Sequence, residues 1–388
     1  MTPKPLHSLL AAALAVAACA GPSPPSELPP GPITIGMITS EVGIDRSPAI
    51  DAALGAQQAI DEVNGGGGIA GHRIQLRSED DSGQAGQVGA AYNRLAAYRP
   101  LGIIGPLFSE GALALAQLAS TGRLPVLSLS GADQVVMKGS AVRPNVFLAA
   151  PAASRSAERM LSHLKAARLD TVAVAHPAGD LFSDQGVATL KTEAARSGET
   201  VVADEQFDPA TTDFNPLLKR VRASGAKVLL AWGSGTGTPL LTRAWKDSGL
   251  GIPLLLSSAS ASTAFLKAVG EGGQGALVET TASVLAGSPP SVPAVQKQVA
   301  GMSDAFQRSQ HYYPSQAAFD GYAAARLLLA AIARAGSASP DGINAALAAL
   351  SLTTASGTFS FSARDHLGLP AGWLRIAALK DGRLAPAG

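Results

Sequence analysis

The chain is poor in the residues that would mark several common functions. It has one cysteine, Cys19, in 388 residues, so no intramolecular disulfide can form. Charged residues make up only 15% and the formal net charge is +1, with no run of Lys or Arg. Nucleic-acid binding needs a basic face to neutralise phosphates, so nucleic acid is not an expected partner. Beyond the N-terminus no apolar stretch is long and unbroken enough to span a membrane. Residues 323–335 come nearest, but Arg326 and Arg334 interrupt them, and they read as a buried helix.

Catalytic signatures are missing as well. There is no Walker A loop and no Gly-x-Ser-x-Gly elbow. The histidines at 7, 72, 163, 176, 311 and 366 are scattered without metal-ligand spacing. Gly233-Ser234-Gly235-Thr236-Gly237 begins like a dinucleotide fingerprint, but Thr238 stands where the third glycine belongs and no acid follows at the right distance. Asp80-Asp81 reads as a solvated turn after a strand. No enzyme activity, no cofactor and no metal site is expected.

What is present begins at the N-terminus. Lys4, the apolar run from Leu9 to Ala18 and small residues before a cut site form an export signal over 1–18. Val16-Ala17-Ala18-Cys19 resembles the bacterial lipobox, which implies lipidation of Cys19 after cleavage, with membrane attachment through acyl chains alone. Residues 19–32 are proline-rich and read as an extended tether. The expected location is the periplasm or the outer cell surface.

With 46% hydrophobic residues the remainder can build a sizeable core. Apolar β-rich runs alternate with helical patterns. Strands are read at 33–38, 72–77, 101–104, 124–129, 171–175, 200–205, 227–231, 253–256 and 276–281. Helices are read at 49–63, 84–98, 111–121, 154–168, 184–197, 213–224, 238–248, 293–308 and 316–335. Such alternation implies an α/β protein with parallel sheets covered by helices, and this many strands implies two lobes. Ligands of these sheets sit beyond the carboxyl ends of the strands. Three loops there, 105–111, 128–133 and 233–238, are rich in Gly and hydroxyl groups, and each leads into a helix or turn with free backbone N–H groups.

Ile33–Ile38, Asp61-Glu62-Val63-Asn64, the Gly-Gly-Ile-Ala-Gly of 67–71, Glu79-Asp80-Asp81-Ser82 and Ile103-Ile104-Gly105-Pro106 with Ser109 occur in order. Leu124–Ser128 with Ser130, Asp320-Gly321-Tyr322-Ala323-Ala324 and Gly357–Phe361 continue the series. Together they resemble the branched-chain amino-acid binding proteins of ABC transporters, over about 33–384. The resemblance implies a type I periplasmic-binding fold: two Rossmann-like lobes joined by three hinge crossovers, near 149–151, 280–283 and 358–361. Lobe 1 would be 33–150 plus 282–358, and lobe 2 would be 151–281 plus 359–388. It implies a monomer that captures a small polar ligand, such as an amino acid, and delivers it to permease subunits. A sensor or scaffold lipoprotein of the same fold is the alternative.

Carried over residue by residue, the family's ligand contacts fall on Ser109, Ser130, Gly131 and Ala132 in lobe 1. In lobe 2 they fall on Phe182, Thr236 and Ser258. Ala132 stands where a threonine is common, and Phe182 where a tyrosine would donate. The acid that pairs with a ligand ammonium should fall near Ser258–Ser260, and none is there; Glu41, Asp133 and Asp184 are the substitutes at hand.

Overall fold

The computed structural model describes residues 27–42, 46–285 and 291–387. The signal segment, Cys19 and the first part of the tether lie outside the described residues. From residue 33 the chain alternates as read. β1 (Ile33–Thr39), α1 (Arg46–Gly65), β2 (Ile74–Asp80), α2 (Val88–Ala96), β3 (Ile103–Ile104), α3 (Ser109–Gly122) and β4 (Val126–Ser128) come first. A small hairpin, β5 (Met137–Lys138) and β6 (Ala141–Val142), precedes β7 (Val146–Leu148). The strands of this lobe pair in parallel in the order β2-β1-β3-β4-β7.

The second lobe repeats the pattern. It runs α4 (Ala153–Ala166), β8 (Thr171–Pro177), α5 (Leu181–Ser197), β9 (Thr200–Phe207) and α6 (Asn215–Ala223). Then come β10 (Val228–Ala231), α7 (Gly237–Asp247), β11 (Leu254–Leu256), α8 (Thr263–Val269) and β12 (Leu277–Thr281). The chain next returns to the first lobe with α9 (Pro293–Gln310), α10 (Gln316–Ala335), α11 (Pro340–Leu347) and a hairpin, β13 (Ser351–Thr354) and β14 (Gly357–Ser360). It ends in β15 (Leu374–Lys380), which pairs antiparallel with β12, and β16 (Arg383–Pro386), which pairs antiparallel with β15. The second sheet is therefore β16-β15-β12-β11-β10-β8-β9.

The strands are short and apolar because both faces of each sheet are covered. Ile103, Ile104, Val126, Leu127, Leu229, Leu230, Leu254 and Leu256 are all fully buried. α10 returns from beyond the second lobe and lies directly on α1. The approach is close enough that a Cβ on Gly55 would sit 1.9 Å from Ala318 O, and one on Gly321 would sit 2.0 Å from Ala52 O. Glycine is needed at both crossing points.

Two of the crossovers run through 149–152 and just after Thr281. The third lies later than 358–361. His366 Nδ1 is 2.8 Å from Val146 O, and Leu148 N donates to His366 O at 2.9 Å. His366 also stacks on Phe147 at 3.9 Å. The chain thus follows the edge of the first sheet past β14 and enters the second sheet only at Leu374. The expected solvated turn at Asp80-Asp81 is corrected too. Asp81 is 0% exposed, accepts from Ser40 Oγ at 2.8 Å, and burial raises its carboxyl above the usual range.

Candidate functional site

The carboxyl ends of β3 and β4 in one sheet face those of β8, β10 and β11 in the other across a cleft of about 140 Å³. Its walls from the first lobe include Leu107, Phe108, Ser109, Leu129 and Gly131, with Gln316, Ala317 and Asp320 from the start of α10. The second lobe adds Asp180, Phe182, Ser234, Ser258, Ala259 and Ser262.

α3 begins at the cleft. Phe108 at its N-cap offers no side-chain acceptor, so the first N–H groups of the helix are uncapped. Ser109 Oγ is 2.8 Å from Ser130 Oγ, and Ser130 Oγ in turn accepts from Ala132 N at 3.1 Å. This arrangement aims Ser109 and Gly131 at the cleft and sets Ser130 one layer behind. An anionic group here would meet a hydroxyl and free backbone N–H groups, and the positive end of the helix dipole.

The lobes meet on one side of the cleft. Phe182 packs against Trp232 behind it, with ring centroids 6.0 Å apart, and against Gly131 in front. A Cβ at 131 would lie 3.2 Å from the Phe182 ring and 2.6 Å from Pro151 O. Glu110 Oε1 accepts from Leu181 N at 2.9 Å, directly across the lobes. Asp180 caps α5 by accepting from Phe182 N, and burial with the charges of Glu110 and Asp184 raises its carboxyl.

Of the residues singled out from sequence, Ser109, Gly131, Phe182 and Ser258 line the cleft. Ser130 supports Ser109 from behind. Ala132 is 0% exposed and its N–H is already given to Ser130, so it lies behind the lining. Thr236 lines an adjoining groove with Gly235, Pro239 and Arg243. None of the three substitute acids is in the lining. Glu41 sits on the exposed turn after β1, where its N–H bonds to Asp80 Oδ1. Asp133 binds Ser154 N at 3.2 Å, and Asp184 lies 3.5 Å from His176 Nδ1. Among the described residues, the acids that do line the cleft are Asp180 and Asp320. Neither stands in a strand-end loop chosen from the sequence. Asp320 was visible only as part of a family-like string, with nothing local to place it at a site.

A further acid stands behind Ser258. Glu279 of β12 is 0% exposed, and burial pushes its carboxyl up to about 7 against the pull of Ser156, Ser258 and the Arg159 guanidinium. Neither of its oxygens makes a close hydrogen bond among the described residues.

Comparison with known proteins supplies the lineage. The sequence profile of a family described as periplasmic binding protein matches residues 32–383. A Leu/Ile/Val-binding protein, BraC3 of Rhizobium johnstonii, is 28% identical over 344 residues, covering 87% of this chain and 86% of that one. Among solved structures, the branched-chain amino acid transporter substrate binding protein LivJ of Streptococcus pneumoniae, in complex with isoleucine, has a TM-score of 0.77 at 19% identity, over 91% of this chain and 97% of that one. A solute binding protein of an R. palustris ABC transporter, in complex with benzoate, has a TM-score of 0.77 at 20% identity, over 92% and 96%. No described helix is long and apolar enough to cross a membrane. With two lobes, an interlobe cleft and a profile match over residues 32–383, the chain belongs to the periplasmic binding protein family of exported solute-binding proteins.

Proposed function

We propose that this protein captures a small ligand with an anionic head in the interlobe cleft and delivers it, unchanged, to the permease of an ABC importer. The observation that carries the reading is the pairing of Ser109 Oγ with Ser130 Oγ at the uncapped start of α3, opposite Phe182. Neutral donors of this kind hold a carboxylate without presenting a competing charge. Phe182 and Phe108 give the apolar part of a ligand a surface to pack on. The names of the relatives support a transport role, and lipidated Cys19 would hold the protein at the membrane as a monomer.

Mass spectrometry of the native protein identifies the co-purified ligand, and calorimetric titration then tests the site. Ser109→Ala removes a hydrogen bond to a charged group, worth about 1.5–3 kcal/mol, so affinity falls roughly ten- to a hundredfold. Phe182→Ala has a similar effect through lost burial. Unchanged affinity in both variants, with normal melting, would place the ligand elsewhere. Cys19→Ser abolishes membrane fractionation if the anchor is a lipid on that residue.

A further inference from the structure

Among the described residues, the cleft lining holds two carboxyl side chains, Asp180 and Asp320, and no Lys, Arg or His. The two acids are not equivalent. Asp180 is engaged with its own helix: one oxygen accepts from Phe182 N and the other from the Ser183 hydroxyl. Asp320 is 4% exposed, and only Oδ1 has a partner among the described residues, Gln316 Nε2 at 2.7 Å.

The Gln316 amide cannot turn over. Its Oε1 receives Thr281 N–H at 3.1 Å and the hydroxyls of Thr280 and Thr281 at 3.0 and 2.8 Å. A backbone N–H only donates, so the atom it meets is oxygen and the NH2 group faces Asp320. The carboxyl is therefore held rigidly in the cleft wall, with Oδ2 left over.

We infer that Asp320 is the counter-charge for an ammonium on the ligand whose anionic head lies at Ser109 and Gly131. This rests on the cleft reading above and adds the ligand's second charge and the residue that selects for it. A ligand that is only an anion would enter a cleft whose described lining has two carboxyls and no cation, and its charge would face no opposite charge there. A zwitterion puts each charge against its complement. Ser258-Ala259-Ser260 then needs no acid, because the acid arrives from α10 in the opposite lobe.

The groups around Asp320 agree with this. Burial, and after it the Glu279 charge on β12, raises its carboxyl; Gln316 donates to it, and Asp180 stands in the same lining. Asp51 of α1, near the start of α10, is already held by Ser315 and Tyr312. Burial and the Glu279 charge favour the neutral form of Asp320 in the empty cleft. A cation beside it favours the carboxylate, so binding releases a proton.

The test is titration calorimetry at pH 7, in two buffers of different ionisation enthalpy, on the wild type and Asp320→Asn. The probes are the proteinogenic L-amino acids, each beside the acid lacking its α-amino group. The expected result is that an amino acid binds with proton release while its deaminated partner binds roughly ten- to a hundredfold more weakly. Asp320→Asn abolishes that preference. If the deaminated acid binds as tightly, or the variant still discriminates, the assignment of Asp320 is overturned while the anionic-head reading stands. If no member of any pair binds, both fall. Should the variant melt abnormally, the wild type decides alone: equal affinity for the amino acids and their deaminated partners overturns the inference.

Discussion

Glu110 of α3 accepts the backbone N–H of Leu181 at 2.9 Å, so a carboxylate of one lobe caps the first turn of a helix in the other. Leu181 lies at the positive end of α5, which makes this a favourable place for an anion. Asp180 and Asp184 lie close by and oppose it; burial first, and then the charges of Glu110 and Asp184, raise the Asp180 carboxyl. The contact exists only when the lobes are together, so its energy bears on closure.

Glu110→Ala is expected to shift the free protein toward an open form. Loss of one hydrogen bond, about 1 kcal/mol, corresponds to roughly a fivefold loss in ligand affinity. Small-angle scattering of the ligand-free variant should give a larger radius of gyration. An unchanged radius and unchanged affinity would remove Glu110 from the closure mechanism.

Gly131→Ala blocks closure by a different route. The new methyl group would lie 2.6 Å from Pro151 O, a backbone atom at the crossover that cannot swing aside as a flexible side chain would, and 3.2 Å from Phe182. Overpacking of this kind costs about 1–3 kcal/mol. The expected outcome in calorimetry is a loss of affinity of at least about fivefold, and wild-type affinity would show that the two loops separate on binding.

Glu279 makes stability depend on pH in a direction that can be worked out. Its carboxyl titrates at about 7 in the folded protein, against an ordinary value of 4.5. Between those values the folded state holds the proton and the unfolded state does not, so stability falls as pH rises through the window. The full difference is roughly 3 kcal/mol. Glu279→Gln removes this contribution, so its melting temperature should decline less than the wild type's between pH 5 and pH 8. Parallel pH profiles for the two proteins would contradict the burial argument.

Gly321→Ala forces apart the crossing of α1 and α10, where the added carbon would meet Ala52 O at 2.0 Å. A drop in Tm of several degrees is expected, at roughly 2–4 °C for each kcal/mol. Gly301→Ala in α9 is the control. Nothing lies within 4 Å of its added carbon, and helix propensity alone should leave it neutral or slightly stabilised.

The alternation of elements was readable because its causes are local. Apolar runs such as Ile33–Ile38 and Lys227–Ala231 mark strands buried on both faces, and glycine and proline mark their ends. The C-terminal strands β15 and β16 were not readable in the same way. Their place depends on β15 pairing with β12 across a distant stretch of chain and on β16 pairing with β15, and antiparallel partners there follow from where the third crossover ends. That crossover lies later than the sequence pattern places it, because Phe361 and His366 look like ordinary loop residues until Phe147 is beside them.

The candidate site divides along the same line. Ser109, Gly131, Phe182 and Ser258 stand in the loops or first helical turns that follow parallel strands, and strand-end segments of that kind converge on one edge whatever their neighbours are, which makes them legible from the pattern alone. Which of their neighbours turn inward was a matter of tertiary structure. Ala132 is consumed by Ser130, and Thr236 opens onto the adjoining groove. Asp320 and Gln316 sit at the beginning of a helix that the chain reaches only after building the whole second sheet. Only the return of α10 against α1, through Gly55 and Gly321, brings their polar groups to the cleft, because side-chain chemistry acts over a few ångströms of space and not along the chain.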